Sequence, residues 1–81
     1  MYKNKTADGK NNISGQRIRQ FREQLSEKPS QKQFSDMLQR AGLDIDKNAV
    51  QRMESGSRFI TDIELKIIAK VLGVSYQELL D

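Results

Sequence analysis

The chain of 81 residues has no cysteine and no histidine. Their absence excludes disulfides, thiolate nucleophiles, Cys/His metal sites and imidazole acid–base chemistry together. Long apolar runs are missing too. None approaches the roughly 18 residues of a membrane span, and the opening stretch MYKNKTADGKNN has no apolar centre of the kind a secretory signal needs. No phosphate-cradling glycine loop is found, and no pair of Asp or Glu falls where a pocket is expected. The sequence therefore reads as a non-enzyme with no cofactor, no metal and no small-molecule ligand. With 36% apolar residues there is material for one small unit held by packing alone. A soluble protein of the cytoplasm is expected.

What is present is charge and helix punctuation. Fourteen Lys and Arg against eleven Asp and Glu give +3, a weak statement by itself because any solvated surface carries charge. The distribution says more. Residues 1–58 hold twelve basic and seven acidic side chains, net +5, whereas residues 59–81 hold two and four, net −2. A basic side with one acidic end suits a polyanionic partner. Residues 1–13 read as a mobile basic arm: Lys3, Lys5 and Lys10 stand among Asn, Thr, Asp and Gly, with little to bury. The folded domain is placed at 14–81.

From Ile13 onward one pattern recurs five times: an apolar residue, a capping residue, and a second apolar residue four positions later. The sets are Ile13-Ser14…Ile18, Pro29-Ser30…Phe34, Ile45-Asp46…Val50, Ile60-Thr61…Leu65 and Val74-Ser75…Leu79. At a helix start this spacing sets the residue before the cap against the fourth helical residue. The Ser, Thr or Asp oxygen meanwhile accepts an orphan backbone N–H. Three sets, Ser30/Gln33, Thr61/Glu64 and Ser75/Glu78, also carry the reciprocal Gln or Glu of a capping box. The stops agree: Lys28-Pro29 closes the first segment, and Gly42, Gly56 and Gly73 can end the next three. Helices are predicted near 15–27, 31–41, 47–54, 62–72 and 76–80. Their apolar stripes are Ile18-Phe21-Leu25, Phe34-Met37-Leu38-Ala41, Val50-Met53, Leu65-Ile68-Ala69-Leu72 and Leu79-Leu80. The fold class is all-α, a compact five-helix bundle.

The third predicted helix carries the most specific chemistry. Lys47, Asn48, Gln51 and Arg52 fall on one face of a 3.6-residue turn, while Val50 and Met53 face the core. In a DNA major groove Asn and Gln pair with adenine, and Lys or Arg with guanine. Taken alone, the same four residues also make an ordinary solvated helix face.

The run SGQRIRQFREQL…SQKQFSDML…IDKNAVQRMESGSR…ELKIIAKVLGVSYQELL resembles the phage-repressor (Cro/cI-type) helix-turn-helix family from Ser14 to Leu80, about four fifths of the chain. The marks are the Ser-Gln start of helix 2, Glu54-Ser55-Gly56 after helix 3, and the closing stretch from Ala69 to Ser75. The resemblance implies a sequence-specific double-stranded DNA-binding regulator, a repressor, with helix 3 in the major groove and helix 2 across the phosphate backbone. It implies base contacts from Lys47, Asn48 and Arg52, with Gln51 reaching a base or a phosphate. Phosphate contacts are expected from Ser30, Gln31 and Arg58, with Arg17 and Arg19 as further candidates; plain surface charge is the competing account of those last two. It also implies a structural ion pair between Arg22 of helix 1 and Glu54.

The chain departs from that family in three places. The connection between Leu38 and Val50 is about five residues longer than the family's tight turn, and the Lys28-Pro29 connection about two longer. The surplus is expected to extend helix 2 to Ala41, with Leu43 and Ile45 tucked beneath it. The third helix is capped by Asp46, where Ser or Thr is usual. That carboxylate caps its own helix, or accepts from cytosine N4. One such helix covers few base pairs, so a homodimer on two half-sites is expected, with Phe59, Ile67, Val71 and Tyr76 as contact candidates. The arm either follows the groove beside the site or has no role. The alternative is an antitoxin-like or adaptor protein whose main partner is another protein.

Overall fold

A computed structural model describes residues 9–81, and among these every regular element is helical. The five helices are α1 (Gly15–Gln24), α2 (Gln31–Arg40), α3 (Lys47–Ser55), α4 (Asp62–Leu72) and α5 (Tyr76–Leu80). Three of the starts are capping boxes with both bonds made, at Ser30/Gln33, Thr61/Glu64 and Ser75/Glu78. At the fourth, the Asp46 carboxylate accepts from the Ala49 N–H at 2.8 Å. Each satisfies a backbone donor that the helix itself cannot.

The first start differs. Ser14 is helical in backbone, buried, and makes no side-chain cap, while Ile13 is 61% exposed and packs as no staple. The cap comes from Asn12, whose Oδ1 accepts from the Gly15 N–H at 2.8 Å. The end of α1 also corrects the predicted 15–27. The helix stops at Gln24, and residues 25–28 form a turn closed by the Lys28 N–H on the Leu25 carbonyl at 2.8 Å, with Lys28 at φ 45°. Its reason is downstream: Pro29 is buried and its carbonyl accepts from Arg22 Nη1 at 2.9 Å. A helix running on to residue 27 would carry Pro29 away from Arg22 at about 1.5 Å per residue.

Side chains from all five helices meet in one core. Ile18, Phe34, Leu38, Val50, Met53 and Ile68 are fully enclosed, and Leu79 of α5 closes the end. Each contributes about 1.5–3 kcal/mol of apolar burial, an upper figure because unfolded chains are themselves partly collapsed. Two stripe members do not reach this core: Ala41 is exposed, and Leu80 is 43% exposed beside the buried Leu79. The long connection from α2 to α3 is packed. Residues 39 and 40 are helical and Ala41 is the C-cap, so α2 ends one residue before the predicted position. Leu43 and Ile45 are buried beneath it, and Gln39 Nε2 donates to the Ile45 carbonyl at 2.7 Å. That single bond ties the end of α2 to the residue preceding the α3 cap.

Candidate nucleic-acid interface

In α3 exposed and buried residues alternate in pairs. Lys47, Asn48, Gln51 and Arg52 are exposed, while Ala49, Val50, Met53 and Glu54 are buried. Both ends of the helix are fixed. Asp46 caps the start, and at the other end Gly56 takes the left-handed conformation, φ 88°, that a helix-stopping turn requires. The Arg52 carbonyl accepts from the N–H groups of Ser57 and Arg58 at 3.0 and 3.2 Å. A short helix with both termini satisfied and two apolar anchors presents its outward amide, ammonium and guanidinium groups from one fixed face.

Beneath this face lies a buried ion pair. Arg22 Nε donates to Glu54 Oε2 at 2.7 Å and Arg22 Nη2 to Glu54 Oε1 at 3.0 Å. The guanidinium also reaches the Pro29 carbonyl, and Gln31 Nε2 donates to Glu54 Oε1 at 3.1 Å. The hydrogen bond to Glu54 outweighs burial and, with the attraction of the Glu54 and Glu23 charges, raises the Arg22 pKa above its ordinary value. Arg22 thus keeps its charge at neutral pH despite its burial. The pair joins α1, the α1–α2 turn, the start of α2 and the last turn of α3, so it fixes how α2 and α3 sit relative to each other.

The expected phosphate contacts are placed less uniformly. Ser30 sits at the N-terminus of α2, where backbone N–H groups favour anions. Its oxygen accepts from the Gln33 N–H at 3.1 Å, which leaves the hydroxyl hydrogen as a donor. Gln31 is half-buried against Glu54. Arg19 is exposed beside Glu23 at 3.4 Å, an i,i+4 pair of little energetic weight. Arg17 lies elsewhere: it donates to the carbonyls of Glu78 and Asp81 at 2.8 and 2.7 Å, at the end of α5.

Arg58 forms a two-point pair with Glu64, at 3.1 and 2.9 Å, that sequence inspection missed. Glu64 was legible there only as a capping-box residue, and a separation of six is not a helical spacing. Burial alone pushes the Glu64 carboxyl up. Hydrogen bonds from Arg58 and Thr61, with the Arg58 charge, overcome that and hold it below its ordinary 4.5.

The candidate dimer residues divide. Phe59 and Tyr76 are about half exposed, at 52% and 50%, while Ile67 and Val71 are half-buried against the core. The most exposed large apolar side chain of the described residues is Ile63, at 71%. It lines a shallow apolar depression with Leu65, Tyr76 and Leu80. Ile63 stood outside the apolar stripe of α4, so periodicity assigned it nothing.

Among the described residues no cluster of acidic side chains could hold a metal, and no helix is long and apolar enough to cross a membrane. Neither among curated proteins nor among solved structures does anything match the chain. The family model for helix-turn-helix domains matches residues 18–79, from the first core residue of α1 to the last of α5. With α2, the connecting turn and α3 in the order and exposure described, the chain belongs to the Cro/cI-type helix-turn-helix family of DNA-binding regulators.

Proposed function

We propose that this protein binds double-stranded DNA sequence-specifically, with α3 in the major groove, and acts as a small transcriptional repressor in the cytoplasm. The observation that carries the reading is the face of Lys47, Asn48, Gln51 and Arg52, exposed together on a helix whose opposite side is buried. These residue types match the donors and acceptors of base edges. Ser30, Gln31, Arg19 and Arg58 serve as phosphate contacts, Gln31 and Arg58 by sharing or exchanging their bonds to Glu54 and Glu64. Arg17 joins them only by exchanging its two carbonyls on α5 for a phosphate. Selection of bound duplexes from a randomised pool tests this. A recurrent motif is expected; a pool that stays random after several rounds contradicts the reading.

The functional unit is a homodimer. Phe59, Tyr76, Ile67 and Val71 supply its contact surface, and the exposed Ile63, beside Tyr76, adds to it. Two half-sites about one helical turn apart are expected in the selected duplexes. The same apolar side chains favour a second reading, in which an antitoxin-like or adaptor protein presents this surface to a different protein. Sedimentation distinguishes the two. A strict monomer both free and on a two-half-site duplex removes the homodimer.

A further inference from the structure

One side chain that the DNA-binding reading leaves unused joins three segments. Asn12 Oδ1 accepts from the Gly15 N–H at 2.8 Å, and its Nδ2 donates to the carbonyls of Met53 and Arg58 at 3.1 and 2.7 Å. Those groups belong to the first turn of α1, the last turn of α3 and the loop leading to α4. The neighbouring residue follows the same course: the Asn11 N–H donates to the Gly56 carbonyl at 2.8 Å, and Asn11 Nδ2 to the Ser57 carbonyl at 2.9 Å. The methylenes of Lys10 lie over Gly56, and a Cβ on Gly15 would collide with the Met53 carbonyl. Residues 10–12 therefore run along the C-terminal turn of α3, at the place where the α1 and α3 backbones come into contact.

The apolar anchors Val50 and Met53 hold α3 in the core, but apolar burial has no preferred direction. Hydrogen bonds do. A side chain that reads a base edge must be placed to within about 0.5 Å and 10–20°, and a small tilt of α3 about its anchors would move Lys47 and Arg52 further than that. The Asn12 amide restrains this tilt, because its two N–H groups fix the Met53 and Arg58 carbonyls on either side of the helix end while its oxygen is held on α1.

We propose that Asn12 is a positioning residue for DNA readout: it fixes α3 against α1, so that discrimination between duplexes depends on it more than general affinity does. The proposal rests on the reading of α3 as the recognition helix. The test is to measure Kd at one salt concentration for a duplex selected by the wild-type protein and for a scrambled duplex of the same composition. Wild type, Asn12→Ala and Asn12→Ser are compared, each with its folded fraction from circular dichroism. Both substitutions are neutral, so attraction to the scrambled duplex should stay as in wild type. The ratio between the two duplexes should fall about tenfold. An unchanged ratio in folded variants, an equal fall on both duplexes, or loss of folding in both variants assigns Asn12 to stability alone and overturns the proposal. A wild-type protein with no preference among duplexes overturns the recognition-helix reading, and this proposal with it, before any variant is compared.

Discussion

Arg22 and Glu54 clamp α1 onto α3 through a two-point ion pair whose side chains are only 10% and 2% exposed. Such a pair adds little net stability over apolar residues of the same shape, but removing one partner strands the other charge in a dry site. Arg22→Ala or Glu54→Ala is therefore expected to cost about 3–5 kcal/mol, read as a lower urea midpoint at unchanged m-value. The joint replacement Arg22→Met with Glu54→Leu should recover most of that loss. Single variants within 1 kcal/mol of wild type, on the order of an exposed pair, would show that water reaches the site.

Asp46 caps α3 with a carboxylate one residue before Lys47, at the start of the face proposed to read bases. Asp46→Asn keeps an accepting oxygen for the Ala49 N–H and removes the negative charge, so stability should change by only a few tenths of a kcal/mol. Affinity for a random duplex should rise. Asp46→Ala should cost about 1 kcal/mol of stability. Thermal unfolding with duplex titration checks both. Weaker binding to the selected duplex by Asp46→Asn, with stability retained, would instead point to cytosine readout by the carboxylate.

The α2–α3 connection is held by the buried Leu43 and Ile45, by backbone bonds such as the Leu43 N–H on the Leu38 carbonyl, and by the Gln39 side chain on the Ile45 carbonyl. Ile45→Ala should cost about 2–4 kcal/mol through the cavity it leaves. Gln39→Ala should cost about 1 kcal/mol by freeing the Ile45 carbonyl. Chemical unfolding measures each. The Gln39 variant should also expose amides 43–46 to hydrogen exchange sooner than those of α4.

Glu64 sets an acid limit. Its carboxyl is held below 4.5 in the folded protein, so the stability it supplies is complete above that pH and is lost as pH falls through the lower folded value. Glu64→Gln should flatten this part of the stability profile, from about pH 5 downward. Wild type and variant should therefore converge in acid and diverge toward neutrality. A constant offset across that range would mean that the Arg58 pair contributes nothing pH-dependent.

The helices that could be placed from sequence are those whose signals are local. Ser30, Thr61 and Ser75 cap through partners three residues away, so residue order alone locates α2, α4 and α5. Ser14 shows the limit of the same rule: its spacing is right, yet Asn12 takes the cap because its amide also meets carbonyls of residues 53 and 58, about forty positions on. The end of α1 was obscured in the same way, because the buried Pro29 carbonyl and Arg22 decide it across the turn. The four-residue face of α3 was readable because a 3.6-residue period sorts exposed from buried within nine residues. The Arg58–Glu64 pair, the α5 carbonyls that hold Arg17, and the exposed Ile63 depend on how helices pack, which periodicity does not encode.

Base contact by the α3 face is most directly tested by the Kd ratio between a selected and a scrambled duplex, for wild type and for Lys47→Ala, Asn48→Ala, Gln51→Ala and Arg52→Ala singly and together. Each single change should cost about 1–3 kcal/mol on the selected duplex and relax preference at one position. The fourfold variant should bind both duplexes alike, while a variant of an exposed phosphate candidate such as Arg19→Ala weakens both equally. A folded fourfold variant that still prefers the selected duplex as strongly as wild type would contradict the account.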